Sequence, residues 1–125
     1  MNISVVTTCY NEEDNIKGCL DSLTTQNYFA GQYEIIISDG NSTDNTGKIV
    51  REYADKFNNI KLVIEPKKGT AAGRNAGIRA AEYDYIAFID ADCIAPEDWL
   101  TILADNYQRG RAGSEELAAV GGRNI

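Results

Sequence analysis

Asp90-Ala91-Asp92 follows the apolar run Ile86-Ala87-Phe88-Ile89 and sets two carboxylates two positions apart. In an extended segment that spacing turns both side chains to the same side. Two carboxylates so placed repel each other unless a cation lies between them or one carries a proton. A hard divalent ion, Mg²⁺ or Mn²⁺, suits oxygen ligands and fills its remaining positions with water and phosphate oxygens. Asp90 and Asp92 are therefore candidate metal ligands, and the Asp90-Ala91 pair a candidate contact to a nucleoside diphosphate. The plainer alternative makes one aspartate a helix cap and the other a solvated charge.

Other residues able to bind a ligand stand at the ends of other apolar runs. Thr8-Cys9-Tyr10-Asn11-Glu12 ends the first run. There an aromatic such as Tyr10 can cover a base, and Glu12 can reach a ribose hydroxyl. Glu13 and Asp14 fit a helix N-terminus, where acidic side chains meet the positive end of the dipole. Asp39 directly follows Ile35-Ile36-Ile37-Ser38. It can accept a hydrogen bond from a base or ribose, or close an Asx-type turn, with Ser42, Thr43 or Asp44 capping the next helix. Arg74 sits between Gly69 and Gly77 and either aims at a base or phosphate or lies on a helix of small, closely packing residues. Lys67 and Lys68 read as solvated loop charges.

These residues need a frame. Four β-branched runs, Ile3 to Thr8, Tyr33 to Ser38, Ile60 to Ile64 and Tyr85 to Ile89, are continuous rather than alternating, as in strands covered on both faces. Between them Ile16, Cys19, Leu20 and Leu23 form one helical stripe, and Ile49, Val50, Tyr53, Ala54 and Phe57 another. Thr70 to Glu82 predicts an alanine-rich, closely packing helix. Trp99, Ile102, Leu103 and Tyr107 predict a last helix with Pro96 early in it. Strand and helix alternate four times, which predicts an α/β fold with a Rossmann-like, mostly parallel sheet and helices on both faces. In such sheets ligands collect at the carboxyl ends of the strands, where the polar residues concentrate. Gly110 to Glu116 reads as a loop and Leu117 to Gly122 as the start of a fifth strand. Residues 1–125 are expected to be one domain, truncated from a longer protein.

The 125 residues, 43% of them apolar, suffice for one core. Twelve basic against nineteen acidic residues leave a net charge of -7, which repels nucleic-acid phosphates and anionic membranes at long range. A single nucleotide can still bind through local donors or a metal. No apolar run reaches the ~18 residues of a membrane span, and Met1-Asn2-Ile3-Ser4 lacks the features of a signal peptide. Cys9, Cys19 and Cys93 match neither a disulfide framework nor a zinc motif, and there is no histidine. A reducing, cytoplasmic setting is the default.

In this order, Val5-Val6-Thr7-Thr8-Cys9-Tyr10-Asn11-Glu12-Glu13, Glu34 to Asp44, Gly73-Arg74-Asn75-Ala76-Gly77 and Phe88-Ile89-Asp90-Ala91-Asp92 resemble the amino-terminal half of a family 2 glycosyltransferase of the GT-A fold. Val120-Gly121-Gly122 fits the family's next strand. The resemblance implies transfer of a sugar from a UDP- or GDP-sugar donor to a sugar or lipid-linked acceptor, with inversion at the anomeric carbon. It implies that Thr8, Tyr10, Glu12 and Asp39 contact the nucleoside, that Arg74 contacts the base or nearby groups, and that Asp92, with Asp90, holds Mn²⁺ or Mg²⁺. It also implies that the catalytic base lies in a carboxyl-terminal half, which would govern any peripheral membrane docking. The pattern departs at Ser38, often a second aspartate in the family, and at Cys9, more usually proline.

Three other readings stand beside it. A non-catalytic nucleotide-binding or assembly module would share the same donor-side residues. A receiver domain needs an acidic pair after the first strand, where Thr8-Cys9-Tyr10 stands here, and an aspartate after the third, where Glu65-Pro66 stands. A hydride-transfer Rossmann enzyme needs Gly-x-Gly-x-x-Gly after the first strand, which is absent. An uncovered sheet edge would offer a surface for homo-oligomer formation.

Overall fold

Alternating β-branched runs and amphipathic stretches give β1 (Ile3–Cys9), α1 (Ile16–Thr24), a 3-10 turn (Ala30–Gln32), β2 (Tyr33–Asp39), α2 (Thr46–Lys56), β3 (Ile60–Ile64), α3 (Thr70–Ala80), β4 (Tyr85–Phe88) and α4 (Trp99–Gly110) in the computed structural model. The structure describes residues 1–110. The loop expected beyond Gly110 and the strand expected over Leu117 to Gly122 lie outside the described residues.

The four strands form one parallel sheet in the order β3-β2-β1-β4. β2 is buried along all seven residues and β1 along nearly all, including the polar Ser4, Thr7, Glu34, Ser38 and Asp39. The continuous pattern of β3 and β4 does not reflect the same burial: among the described residues both are the outer strands of the sheet and only partly covered.

Alternation of side chains divides the core in two. Ile3 and Val5 of β1 and Tyr33, Ile35 and Ile37 of β2 pack against Ile16, Cys19, Leu20 and Leu23 of α1, Val50 of α2 and Trp99, Leu100 and Leu103 of α4. Each such side chain, once fully buried, contributes roughly 1.5–3 kcal/mol. Val6 and Thr8 face the other way, onto α3. A Cβ added at Gly77 would lie 2.4 Å from Val6 Cγ1, and one added at Gly73 would lie 3.0 Å from Thr8 Cγ2. The two glycines, one turn apart, let α3 settle directly on the sheet.

Two features of α4 differ from the expectation. Its inner stripe is Trp99, Leu100, Leu103 and Ala104, whereas Ile102 is 47% exposed. Pro96 precedes the helix, and its carbonyl accepts from Trp99 N at 3.0 Å and from Gln26 Nε2 at 2.6 Å. The reason is a buried polar anchor. Gln26 Oε1 accepts from Leu100 N at 2.9 Å and Ser22 Oγ accepts from Ala95 N at 2.9 Å, so the end of α1 sets the start and rotation of α4.

At the amino ends of the strands Glu34 is 4% exposed, its Oε2 hydrogen-bonded and its Oε1 facing Lys61. It accepts from Ser4 Oγ and from Glu82 N, both at 2.6 Å, and pairs with Lys61 Nζ at 3.0 Å. Burial raises its carboxyl, but the donors from Ser4 and Glu82 together with Lys61 outweigh that and hold it below the usual glutamate range.

Two predictions follow from this packing. Gly77→Ala should lower the urea midpoint, because overpacking against the β-branched Val6 costs about 1–3 kcal/mol and exceeds the helix-propensity gain of about 1 kcal/mol. Gly73→Ala should cost less, and equal midpoints for the two would contradict the contact geometry. For Glu34, a depressed folded value means stabilisation that is complete above the unfolded value and is lost as pH falls through the folded one. The stability advantage of the native chain over Glu34→Gln, about 1–2 kcal/mol at neutral pH, should therefore shrink in acid melts below the ordinary glutamate value.

Candidate functional site

The connections out of β1 and into β4 run on opposite faces of the sheet, so a crevice opens between the carboxyl ends of these neighbouring strands. A cleft of about 440 Å³ occupies it. All four strand ends contribute: Thr8, Cys9, Tyr10 and Glu12 after β1, Gly40 after β2, Lys67, Lys68, Gly69 and Thr70 between β3 and α3, and Asp90 and Ala91 after β4. That volume lies within the range of small-ligand sites. Tyr10 leaves 56% of its surface uncovered there, an aromatic face free to take a planar ligand. Gly69 adopts φ 111°, a conformation side chains resist, and leads straight into α3. The cleft thus has a basic side, made by Lys67, Lys68 and the positive end of α3, and an acidic side made by Glu12 and Asp90.

Two loops border this cleft and hold each other. Asn11 N donates to Ser42 Oγ at 2.8 Å, and Thr43 N donates to Asn11 Oδ1 at 2.9 Å. Glu12 N donates to Thr46 Oγ1 at 2.9 Å, and Asn45 N donates to Glu13 Oε1 at 3.0 Å. Asp44 accepts from Glu13 N and from Thr46 N. Glu13 therefore serves the N-terminus of α2, not that of its own helix: α1 starts at Ile16 with no acidic residue in its first turn. Asn11 and Asn41 take left-handed backbone conformations at φ 52° and 66°, which asparagine tolerates better than most residues.

Asp39 is 2% exposed and does not line the cleft. Its carboxylate closes the turn, accepting from Ser42 N at 3.2 Å and from the Cys9 thiol at 3.6 Å. Burial, and then the Asp39 charge, push the Cys9 thiol far above its ordinary value, so Cys9 stays protonated as a donor to the turn.

The Asp90 segment is not extended, as the two-residue spacing suggested. β4 ends at Phe88, and Cys93 N donates back to Asp90 O at 3.0 Å, closing a turn. Ala91 points into the core at 3% exposure while Asp90 and Asp92 remain exposed. The turn brings ligand atoms of Asp90, Asp92 and Cys93 within 4.8 Å of one another. Among the described residues neither aspartate has an ion-pair partner. Two unpaired carboxylates and a thiol converging at a cleft rim form a donor set that fits a divalent cation. Burial, with Asp92 and Asp90 beside it, raises the Cys93 thiol.

Of the residues singled out in the sequence, Thr8, Tyr10, Glu12, Asp90 and Ala91 share the cleft. Asp92 stands beside Asp90 across the turn. Arg74 is exposed on α3 with its guanidinium 5.1 Å from the Phe88 ring centroid, a cation–π contact near the end of β4 but outside the cleft lining. Sequence reasoning passed over Gly40, Gly69, Thr70 and Cys93 and set Lys67 and Lys68 aside. The glycine before an alanine-rich helix and the cysteine adjoining Asp92 were the signals available.

Comparison with known proteins accords with this geometry. Residues 4–115 match the model of Glycosyl transferase family 2. The chain belongs to that family, and its sheet and helices have the GT-A arrangement. It is 43% identical over 132 residues to the poly(ribitol-phosphate) beta-glucosyltransferase of Bacillus spizizenii, covering 100% of this chain and 20% of that protein. Staphylococcus aureus TarS in complex with UDP superposes with a TM-score of 0.81 at 29% identity, over 89% of this chain and 33% of that one. The mannosyltransferase PcManGT of Pyrobaculum calidifontis, in complex with GDP-Man and Mn²⁺, gives 0.80 at 29% identity, over 85% and 32%. The chain spans 33% and 38% of the length of two further curated relatives.

The loop stitch yields a stability prediction. Thr46 is fully buried, so Thr46→Val keeps the shape but leaves Glu12 N without its acceptor. A loss of about 1–3 kcal/mol in thermal or urea unfolding is expected as the Glu12 loop loosens. An unchanged melting temperature would show that the stitch carries no stability.

Proposed function

We propose that the cleft binds the nucleotide-sugar donor, UDP- or GDP-linked, for metal-assisted transfer of the sugar with inversion to a sugar or lipid-linked acceptor. Family membership supports the transferase reading, and the UDP and GDP-Man held by structural neighbours support the donor class. One observation carries it: an open aromatic, a basic helix start and an unpaired carboxylate pair meet at the crevice between β1 and β4.

In this reading Thr8, Tyr10 and Glu12 contact the nucleoside from the cleft wall. Asp39, whose carboxylate closes the turn carrying Gly40, accepts a hydrogen bond from the base or ribose. Arg74, steadied on Phe88, answers charge on the base or sugar-nucleotide side. Asp90 and Ala91 border the diphosphate, and Asp92 with Asp90 holds Mn²⁺ or Mg²⁺. Bound there, such an ion supplies Lewis-acid neutralisation of the departing diphosphate. The general base that would deprotonate the acceptor hydroxyl is assigned to none of the described residues. No helix among the described residues is long and apolar enough to cross a membrane.

Calorimetric titration of UDP and of GDP, each with and without Mn²⁺, tests this. Binding that tightens with Mn²⁺ is expected, and Asp92→Asn should weaken the metal-dependent binding by at least about tenfold, or about 1.4 kcal/mol. Metal-dependent binding untouched by Asp92→Asn would show the assignment to be wrong.

A further inference from the structure

We infer that Cys93 is a third protein ligand of the metal site, so that the centre prefers borderline cations such as Co²⁺ or Zn²⁺ over the hard Mg²⁺. The inference rests on the reading of Asp90 and Asp92 as metal ligands. Ligand atoms of all three residues lie within 4.8 Å of one another, and Cys93 Sγ is 3.7 Å from Asp92 Oδ1. Two atoms bound to one cation at roughly 2.0 Å for oxygen and 2.3 Å for sulfur stand about 3–4 Å apart, close to the separation already present.

The thiol is held in position. Its backbone N–H is tied to Asp90 O at 3.0 Å, and its side chain packs partly against the core. Cys19 Sγ reaches the same Asp90 carbonyl at 3.6 Å from the buried side, so the turn is braced from below. Cys9 and Cys19 are buried, while Cys93 is partly exposed. Metal binding exchanges the S–H bond for a sulfur–metal bond and releases the proton to buffer, leaving a set of two carboxylate oxygens and one thiolate. A thiolate suits softer ions, whereas Mg²⁺ demands oxygen ligands in near-octahedral order.

The test uses the full chain without nucleotide. Titration with Co²⁺ should raise a saturable thiolate-to-cobalt charge-transfer absorption that is lost in Cys93→Ser and retained in Cys19→Ala. On the native chain, Zn²⁺ but not Mg²⁺ should protect Cys93 from alkylation, a readout that needs no variant. Co²⁺ binding seen by calorimetry without the thiolate band, or a band that survives in Cys93→Ser, overturns the role of Cys93 and leaves the carboxylate pair standing. Absence of any metal binding overturns both. Equal protection by Mg²⁺ and Zn²⁺ overturns the preference.

Discussion

β1 has neighbours on both sides whose connections lie on opposite faces: α1 leads away to β2 over one face, and α3 brings the chain to β4 over the other. The loops at the carboxyl ends of β1 and β4 must therefore part, and no local rearrangement can close the gap while the order β3-β2-β1-β4 persists. The cleft is the consequence of that topology. The close seating of α3 through Gly73 and Gly77 matters to it directly, because α3 carries Thr70 at its first turn and meets Thr8 through Gly73. A bulkier face on α3 would lift the helix and move one wall of the site.

A crevice alone would have mobile walls. Here the loops at the carboxyl ends of β1 and β2 satisfy each other's backbone donors through Asn11, Glu13, Ser42, Asp44 and Thr46. Much of the acidic and amide content near the site is thus consumed in holding backbone N–H groups, each of which would be costly to leave unmet. The side chains left over for a ligand are fewer and more specific: Tyr10, Glu12, the lysine pair, Asp90 and Asp92. In a chain of net charge -7, placing Lys67, Lys68 and the positive end of α3 on one wall makes an anion tolerable where the mean field opposes it.

The turn from Asp90 to Cys93 shows the same economy. Ala91 buries its methyl in the core and serves as the fixed point about which Asp90 and Asp92 face outward, and Cys93 closes the turn through its backbone.

The sequence alone determined the elements and their kind. Strand limits read from β-branched runs differ from the structure by one residue at most, because continuous β-branched runs of five or six residues have few other ways to be buried. It also determined that polar residues gather at the strand ends, and the Asp90-Ala91-Asp92 motif was legible with its flanking strand. Tertiary structure decided which of those residues meet. Periodicity placed Ile102 inside α4, but Gln26 and Ser22, seventy-odd residues away, set the rotation that buries Leu100 instead. Local propensity assigned Glu13 to its own helix, whereas the neighbouring loop claimed it for α2. Asp39 carried both a turn and a ligand reading, and the tertiary structure gives its buried carboxylate the turn through Ser42 and the Cys9 thiol. Lys67 and Lys68 gained a place in the site only because α3 begins at the cleft. In each case a hydrogen bond or packing contact between distant segments made the choice, and such contacts leave no periodic trace in the chain.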